Sequence, residues 1–260
     1  MATTQTQARQ SDTALVSIEG LHKRRSQGDS SFVLDVPTLH IRPGEVVAIV
    51  GDSGCGKSTL LDLLALVMQP TRVSTFTMHP DITTEVDVAA LWAMHQETRL
   101  ARLRCQSLGY ILQTGGLLPF LNVYANAALS ARIKGLQESA YANRLHELAT
   151  RLGVANCLPR MPDSLSLGQR QRIAILRALV HNPDIILADE PTASVDKTRA
   201  RSIMQDLNAL AREQGVAVVI VTHDVDLVAP FADITYGFEV REISAQETHS
   251  LFIPLPSSHQ

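Results

Sequence analysis

The chain has 260 residues, a mass of 28.3 kDa, 45% hydrophobic residues and a formal net charge of −3. That length buries one good-sized core with room for a subdomain but not two independent domains, and the mildly acidic balance supplies no global attraction to nucleic acid or anionic lipid. No apolar run reaches the roughly 20 residues that cross a bilayer, and the polar stretch 1–12 lacks the apolar centre of a secretory signal, so the protein is expected to stay in the cytosol.

Residues 15–18 read as a first strand, followed by the basic run Leu21-His22-Lys23-Arg24-Arg25, which reads as a solvated face with no nucleic acid expected. The run 46–50 is apolar throughout, as a strand buried on both faces should be, and it leads into Gly51-Asp52-Ser53-Gly54-Cys55-Gly56-Lys57-Ser58-Thr59 and an apolar helix from Leu60. Weak alternation around 74–78 suggests edge strands of a small antiparallel sheet. A strand at 108–112 ends at Gln113, after which the period turns helical: Tyr141, Leu145, Leu148 and Leu152 share a face, and 165–180 forms a second long helical run.

Residues 185–188 return to strand and end in Asp189-Glu190. A helix with Ile203, Leu207 and Leu210 on one face then stops at Gly215 before a strand at 216–221, which is a βαβ crossover. Both ends, 1–12 and 242–260, read as poorly ordered, the second because of Pro254, Pro256 and its Ser and His residues; within it Leu251-Phe252-Ile253 reads chiefly as part of a loose end, less readily as a docking segment for a partner. Cys55, Cys105 and Cys157 are odd in number and widely spaced, which predicts free thiols.

Strand, glycine-rich loop and helix in that order form a phosphate cradle. The glycines let successive backbone N–H groups converge, the helix N-terminus adds partial positive charge, Lys57 reaches the outer phosphates of a nucleoside triphosphate, and Ser58 can hold Mg²⁺. The two carboxylates at the end of 185–188 divide the remaining work: Asp189 binds the metal through its water shell, and Glu190 orients or deprotonates the attacking water.

Three further segments complete a family pattern. Leu165-Ser166-Leu167-Gly168-Gln169, followed by Arg170-Gln171-Arg172, resembles the signature motif of ATP-binding cassette proteins; Gln113 resembles their Q-loop, Ser194-Val195-Asp196 their D-loop, and Val221-Thr222-His223-Asp224 their switch histidine. The resemblance implies an α/β fold, a P-loop RecA-like core with a small antiparallel β subdomain and an inserted α-helical subdomain near 115–182. The cassette would span 14–241, with 242–260 as a tail. It further implies that Gln113 senses metal and γ-phosphate, that His223 holds the γ-phosphate, and that Ser166, Leu167, Gly168 and Gln169 act in trans on ATP held by a second copy. The expected assembly is therefore a homodimer.

A cassette of this kind acts through another chain. Gly115-Gly116-Leu117-Leu118-Pro119-Phe120 is apolar where a loop should be polar, which suggests a docking surface for an integral membrane permease. The run 108–113 with Leu117-Leu118-Pro119 resembles the subgroup serving lipoprotein release, macrolide export and cell-division signalling, whose permeases have few spans and large periplasmic parts. This places the chain on the cytoplasmic face of an inner membrane; a regulatory ATPase without solute transport is the alternative, and a soluble cassette acting on nucleic acid or ribosomes a lesser one. Two positions depart from the family: Leu167 replaces a usual glycine, predicting a slower or more tightly regulated ATPase, and Arg25 stands where an aromatic base-stacking residue is usual, leaving adenine contact to Arg25 or Phe32. Cys55, inside the loop, is expected to be reachable by alkylation that ATP blocks.

Overall fold

The structure, a computed structural model, describes residues 13–28, 30–80, 84–193 and 195–256. Its strands in chain order are β1 (Val16–Gln27), β2 (Ser30–Ile41), β3 (Val46–Val50), β4 (Thr75–Met78), β5 (Val86–Asp87), β6 (Leu108–Ile111), β7 (Ile185–Asp189), β8 (Ala217–Thr222), β9 (Ile234–Ser244) and β10 (Glu247–Pro254). They form one 10-stranded sheet in the order β5-β4-β1-β2-β10-β9-β3-β8-β7-β6. The half from β9 to β6 is parallel, and β1 pairs antiparallel with β2 and β4. β10 is the seam, antiparallel to β9 and parallel to β2.

Every residue of β3 and β8 is buried. Val46, Ala48 and Val50 of β3 join one core with Ile186, Ala188, Val218 and Ile220, whereas Val47 and Ile49 join the opposite core with Ile185, Leu187, Val219 and Val221. The unbroken apolar runs in the sequence are therefore two alternating faces, each needing its own cover.

Helices α1 (Lys57–Leu64), α2 (Val88–Ala93) and α3 (Glu97–Ser107) cover the second face through Leu60, Leu63, Trp92 and Leu100. The first is covered from α4 (Val123–Ala127), α5 (Leu129–Ile133), α6 (Glu138–Arg151), α7 (Leu167–Leu179) and α8 (Lys197–Gln214), with α9 (Val225–Val228) adding Val228. Tyr141, Leu145 and Leu148 form the buried stripe of α6, and α8 ends at Gly215 in the left-handed conformation, φ 68°. At Gly109 of β6 a Cβ would sit 2.3 Å from Ala178 O, so only glycine lets α7 press directly onto the strand that leads to Gln113.

Two expectations are corrected. The first strand does not stop at 18: β1 continues through the basic run, where His22 Nδ1 meets Asp35 Oδ1 of β2 at 2.7 Å. Nor is 242–254 a loose tail. Ser250 and Phe252 point inward as alternate residues of β10, and the Phe252 ring stacks on Tyr236 at 4.6 Å and meets Phe238 edge-on at 5.5 Å. Polar and apolar residues mix on both faces, Ser250 beside Phe252 on the inner one and His249 beside Leu251 on the outer, which disguises the strand in sequence, and Leu251-Phe252-Ile253 docks on the chain's own sheet.

Phe252 is 2% exposed, so Phe252→Ala should cost about 3–5 kcal/mol of stability in urea unfolding. A loss under about 1 kcal/mol, the range of a surface change, would contradict an integral β10.

Candidate nucleotide site

Beyond Val50 the chain turns through 51–56 and enters α1. Gly56 caps that helix at φ 111°, and a Cβ there would lie 3.0 Å from Phe32 Cζ, so both conformation and contact demand glycine. Lys57 folds back across the loop, Nζ donating to Gly51 O at 2.6 Å and to Asp52 O at 2.7 Å. The ammonium is thus held at the loop mouth by carbonyls and available to exchange them for phosphate oxygens. Cys55 is not reachable as expected: it is 4% exposed, its Sγ packed beside Gly51, and burial pushes its thiol up against the opposing pull of Lys57. Its position in the loop is as read; its direction is inward.

Asp189 ends β7 opposite Val221 of β8. Burial raises its carboxyl above its ordinary value of 3.8, with Glu190 and Asp62 adding to the rise and Lys57 opposing it. Glu190 adopts φ 45°, a left-handed conformation that costs a non-glycine residue about 1–3 kcal/mol. That turn lets its N–H donate to Val221 O at 2.9 Å and aims its carboxylate sideways, where Oε1 lies 2.9 Å from His223 Nδ1 and Oε2 accepts from Thr222 Oγ1 at 3.3 Å. The general-base candidate and the switch histidine are already in contact.

Gln113 follows β6 into the same cleft. Just beyond it, the carbonyls of Gly115 and Gly116 accept from the buried Arg177 of α7, both at 2.8 Å. The cleft has a volume of about 1050 Å³, ample for a nucleotide, and brings Ser53, Gly54, Gly56, Lys57, Ser58 and Thr59 together with Gln113, Asp189, Glu190 and His223.

The signature residues are elsewhere. Ser166 caps α7 in a reciprocal box, its Oγ accepting from Gln169 N at 3.3 Å and its N–H donating to Gln169 Oε1 at 3.0 Å. Leu167 is 57% exposed on the first turn, and a Cβ on Gly168 would sit 3.4 Å from Arg199 Cδ. None of residues 166–169 lines the cleft. Asp196 caps α8, accepting from Arg199 N at 3.1 Å and pairing with its guanidinium at 3.2 Å; Ser194 lies outside the described residues.

Sequence reasoning offered Arg25 and Phe32 but missed the rest of the far wall. Arg25 Nη1 reaches Thr59 Oγ1 at 3.3 Å, and Ser30, Ser31, Gln246 and Thr248 line the cleft from two hairpin tips. Apart from alternation in 247–254, the sequence carries no signal for them. Of the two candidates for adenine contact, Phe32 packs beneath Gly56, while Arg25 spans the cleft wall.

A phosphate loop at a parallel strand end, facing paired carboxylates and a histidine, defines the class as a phosphate-loop nucleoside triphosphatase. Residues 34–193 match the family model described as ABC transporter. The chain is 36% identical over 207 residues to the ABC transporter ATP-binding protein YtrE of Bacillus subtilis, covering 80% of this chain and 85% of that protein. It is 38% identical to the lipoprotein-releasing system ATP-binding protein LolD of Idiomarina loihiensis, covering 77% and 83%, and 38% identical to the macrolide export ATP-binding/permease protein MacB of a Shewanella species, covering 85% of this chain but only 32% of that one. The dimeric MJ0796, a bacterial ABC transporter cassette, superposes with a TM-score of 0.73 at 31% identity over 85% of this chain and 93% of that one. The chain belongs to the ABC transporter family and is its ATP-hydrolysing cassette.

The raised Asp189 carboxyl makes a directional prediction. Its ionised form is penalised in the fold, so wild type loses stability as pH rises from about 4. Nucleotide-free Asp189→Asn should therefore melt higher than wild type at neutral pH, with the gain shrinking as pH falls toward about 4; equal melting at pH 7 would contradict the half-buried placement of the carboxylate.

Proposed function

We propose that two copies of this chain close head to tail on two ATP molecules and that this closure drives a membrane-embedded permease. The observation that carries the reading is the separation of the signature residues 166–169 from their own chain's cleft. A capped helix N-terminus with unspent backbone N–H groups suits an anion, and only a second molecule can bring it to the triphosphate. The relative MJ0796 is a dimeric cassette, and another structure of it is a post-hydrolysis dimer with ADP and phosphate.

The phosphate loop, Gly51 to Thr59, receives the triphosphate, with Lys57 transferring its ammonium from the Gly51 and Asp52 carbonyls to phosphate oxygens. Arg25 offers a guanidinium plane at the base end of the cleft. A half-buried carboxylate whose ionisation is opposed by two neighbours fits a divalent cation, and Ser58, Gln113 and Asp189 would hold Mg²⁺ together with phosphate oxygens. Bound there, the ion neutralises charge developing on the phosphoryl oxygens. Glu190 takes the proton of the attacking water, and His223 orients its carboxylate while reaching for the γ-phosphate. Ser166, Gly168 and Gln169 of the partner subunit complete the phosphate contacts, and Asp196 supports the junction between copies.

Phe120, 73% exposed, and Leu112 beside the Gln113 segment form the apolar surface that meets the permease. The relatives named for macrolide export and lipoprotein release agree with the subgroup that the sequence resembles, and the permease would then be of that subgroup's type, with few spans and a large periplasmic part. The chain then sits peripherally on the cytoplasmic face of the inner membrane. Among the described residues no helix is long and apolar enough to cross a membrane.

Glu190→Gln should keep ATP affinity, lose roughly a hundredfold or more in turnover, and accumulate as an ATP-dependent dimer in gel filtration. Lys57→Ala should instead weaken ATP binding about tenfold or more. A Glu190→Gln variant that stays monomeric with ATP would exclude the head-to-tail assembly. Separately, Leu167→Gly should raise steady-state ATPase turnover, because it removes an exposed side chain from the surface that meets the second triphosphate; a lower rate would show the leucine to be fitted to its site.

A further inference from the structure

The phosphate loop does not rest on its own strand and helix alone. β10 runs behind it, and Ser250, 1% exposed on that strand, donates its hydroxyl to the Cys55 carbonyl at 2.5 Å, a contact between residues 195 positions apart in sequence. The same strand is tied to the wall of the cleft, because Ser31 N donates to Gln246 O at 2.7 Å at the start of its pairing with β2.

The consequence follows from peptide geometry. The Cys55–Gly56 peptide is trans and planar, so its carbonyl and its N–H point in opposite directions. Ser250 draws the carbonyl back toward β10. Gly56 itself lines the cleft, so its N–H, turned away from β10, faces the space read as the phosphate site. Gly56 has φ 111° and no side chain to restrain it, so without the hydroxyl this peptide is free to rotate and its N–H loses a fixed direction. A preformed donor is worth most where the acceptor is anionic and the site is partly desolvated.

We propose that Ser250 is a positioning residue for the phosphate cradle and that the C-terminal strand β10 is accordingly part of the nucleotide site. Ser250 itself does not touch nucleotide; it acts through the Gly56 N–H. The inference rests on the reading of residues 51–59 as the triphosphate cradle and adds to it a group from the far end of the chain.

The test compares ATP and inorganic tripolyphosphate binding by calorimetry for wild type, Ser250→Ala, Ser250→Thr and Lys57→Ala in the full chain, with melting curves confirming that each is folded. Ser250→Ala should weaken both ligands by the same factor, about tenfold, because the lesion lies at the phosphates, and Ser250→Thr, which restores a hydroxyl, should recover most of the loss. Unchanged affinity in folded Ser250→Ala, or a loss for ATP without one for tripolyphosphate, overturns the proposal. Where Ser250→Ala fails to fold, hydrogen exchange on wild type decides: ATP should slow exchange in 248–252 together with the loop, and protection confined to the loop overturns it. Lys57→Ala separates the two layers. If it leaves tripolyphosphate binding intact, the cradle reading itself fails; if it abolishes binding while Ser250→Ala does nothing, only the role of Ser250 falls.

Discussion

The register of three parallel strands governs everything at this site. Val50 of β3 lies opposite Thr222 of β8, and Asp189 of β7 lies opposite Val221 of the same strand. Parallel strands end at the same edge of a sheet, so the phosphate loop, the two carboxylates and His223 emerge side by side at strand spacings of about 4.8 Å. A slip of one residue in any of them would send each side chain to the opposite face. With both faces buried, that slip would exchange two complete sets of core contacts at once, which is why chemistry can depend on so few strand ends.

β10 extends this order into the antiparallel half. By pairing with β9 on one side and β2 on the other it makes a single surface of what would otherwise be a core and an appendage. The phosphate loop lies across the join: Phe32 of β2 supports Gly56 from below and β10 supports Cys55 from behind. A loop rich in glycine has no stiffness of its own. Here its shape is imposed by neighbours from both halves, so the nucleotide meets a cradle that is formed before it arrives.

Local patterns carried the catalytic strands and the helix faces. The loop at 51–59 and the pair Asp189-Glu190 depend on short contiguous runs whose chemistry is visible residue by residue, and the stripes of α6 and α8 repeat at helical spacing. What stayed hidden is of another kind. β2 contains Pro37 and breaks its alternation with two adjacent exposed residues; α3 carries few buried side chains, chiefly Leu100 and Leu103; β10 presents serine and histidine as openly as leucine. These elements are held by long-range pairing, which leaves little trace in composition. The same limit explains Cys55: sequence places a residue in a loop, but only the packing behind the loop decides which way it faces.

The contact between Arg177 and the Gln113 segment gives the fold a route from nucleotide state to movement. Gln113 stands in the cleft, and the two carbonyls just beyond it are gripped by a buried guanidinium from α7. Pulling that segment away while α7 stayed in place would sacrifice two hydrogen bonds to a charged group, each worth about 1.5–3 kcal/mol, and strand the charge in an apolar setting. Moving both together sacrifices neither. Because Ser166 caps the opposite end of α7, a shift of the Gln113 segment is relayed through one helix to residues 166–169; in the head-to-tail pair proposed above, where those residues serve the other site, two active centres would report on each other through backbone already tied together in the single chain.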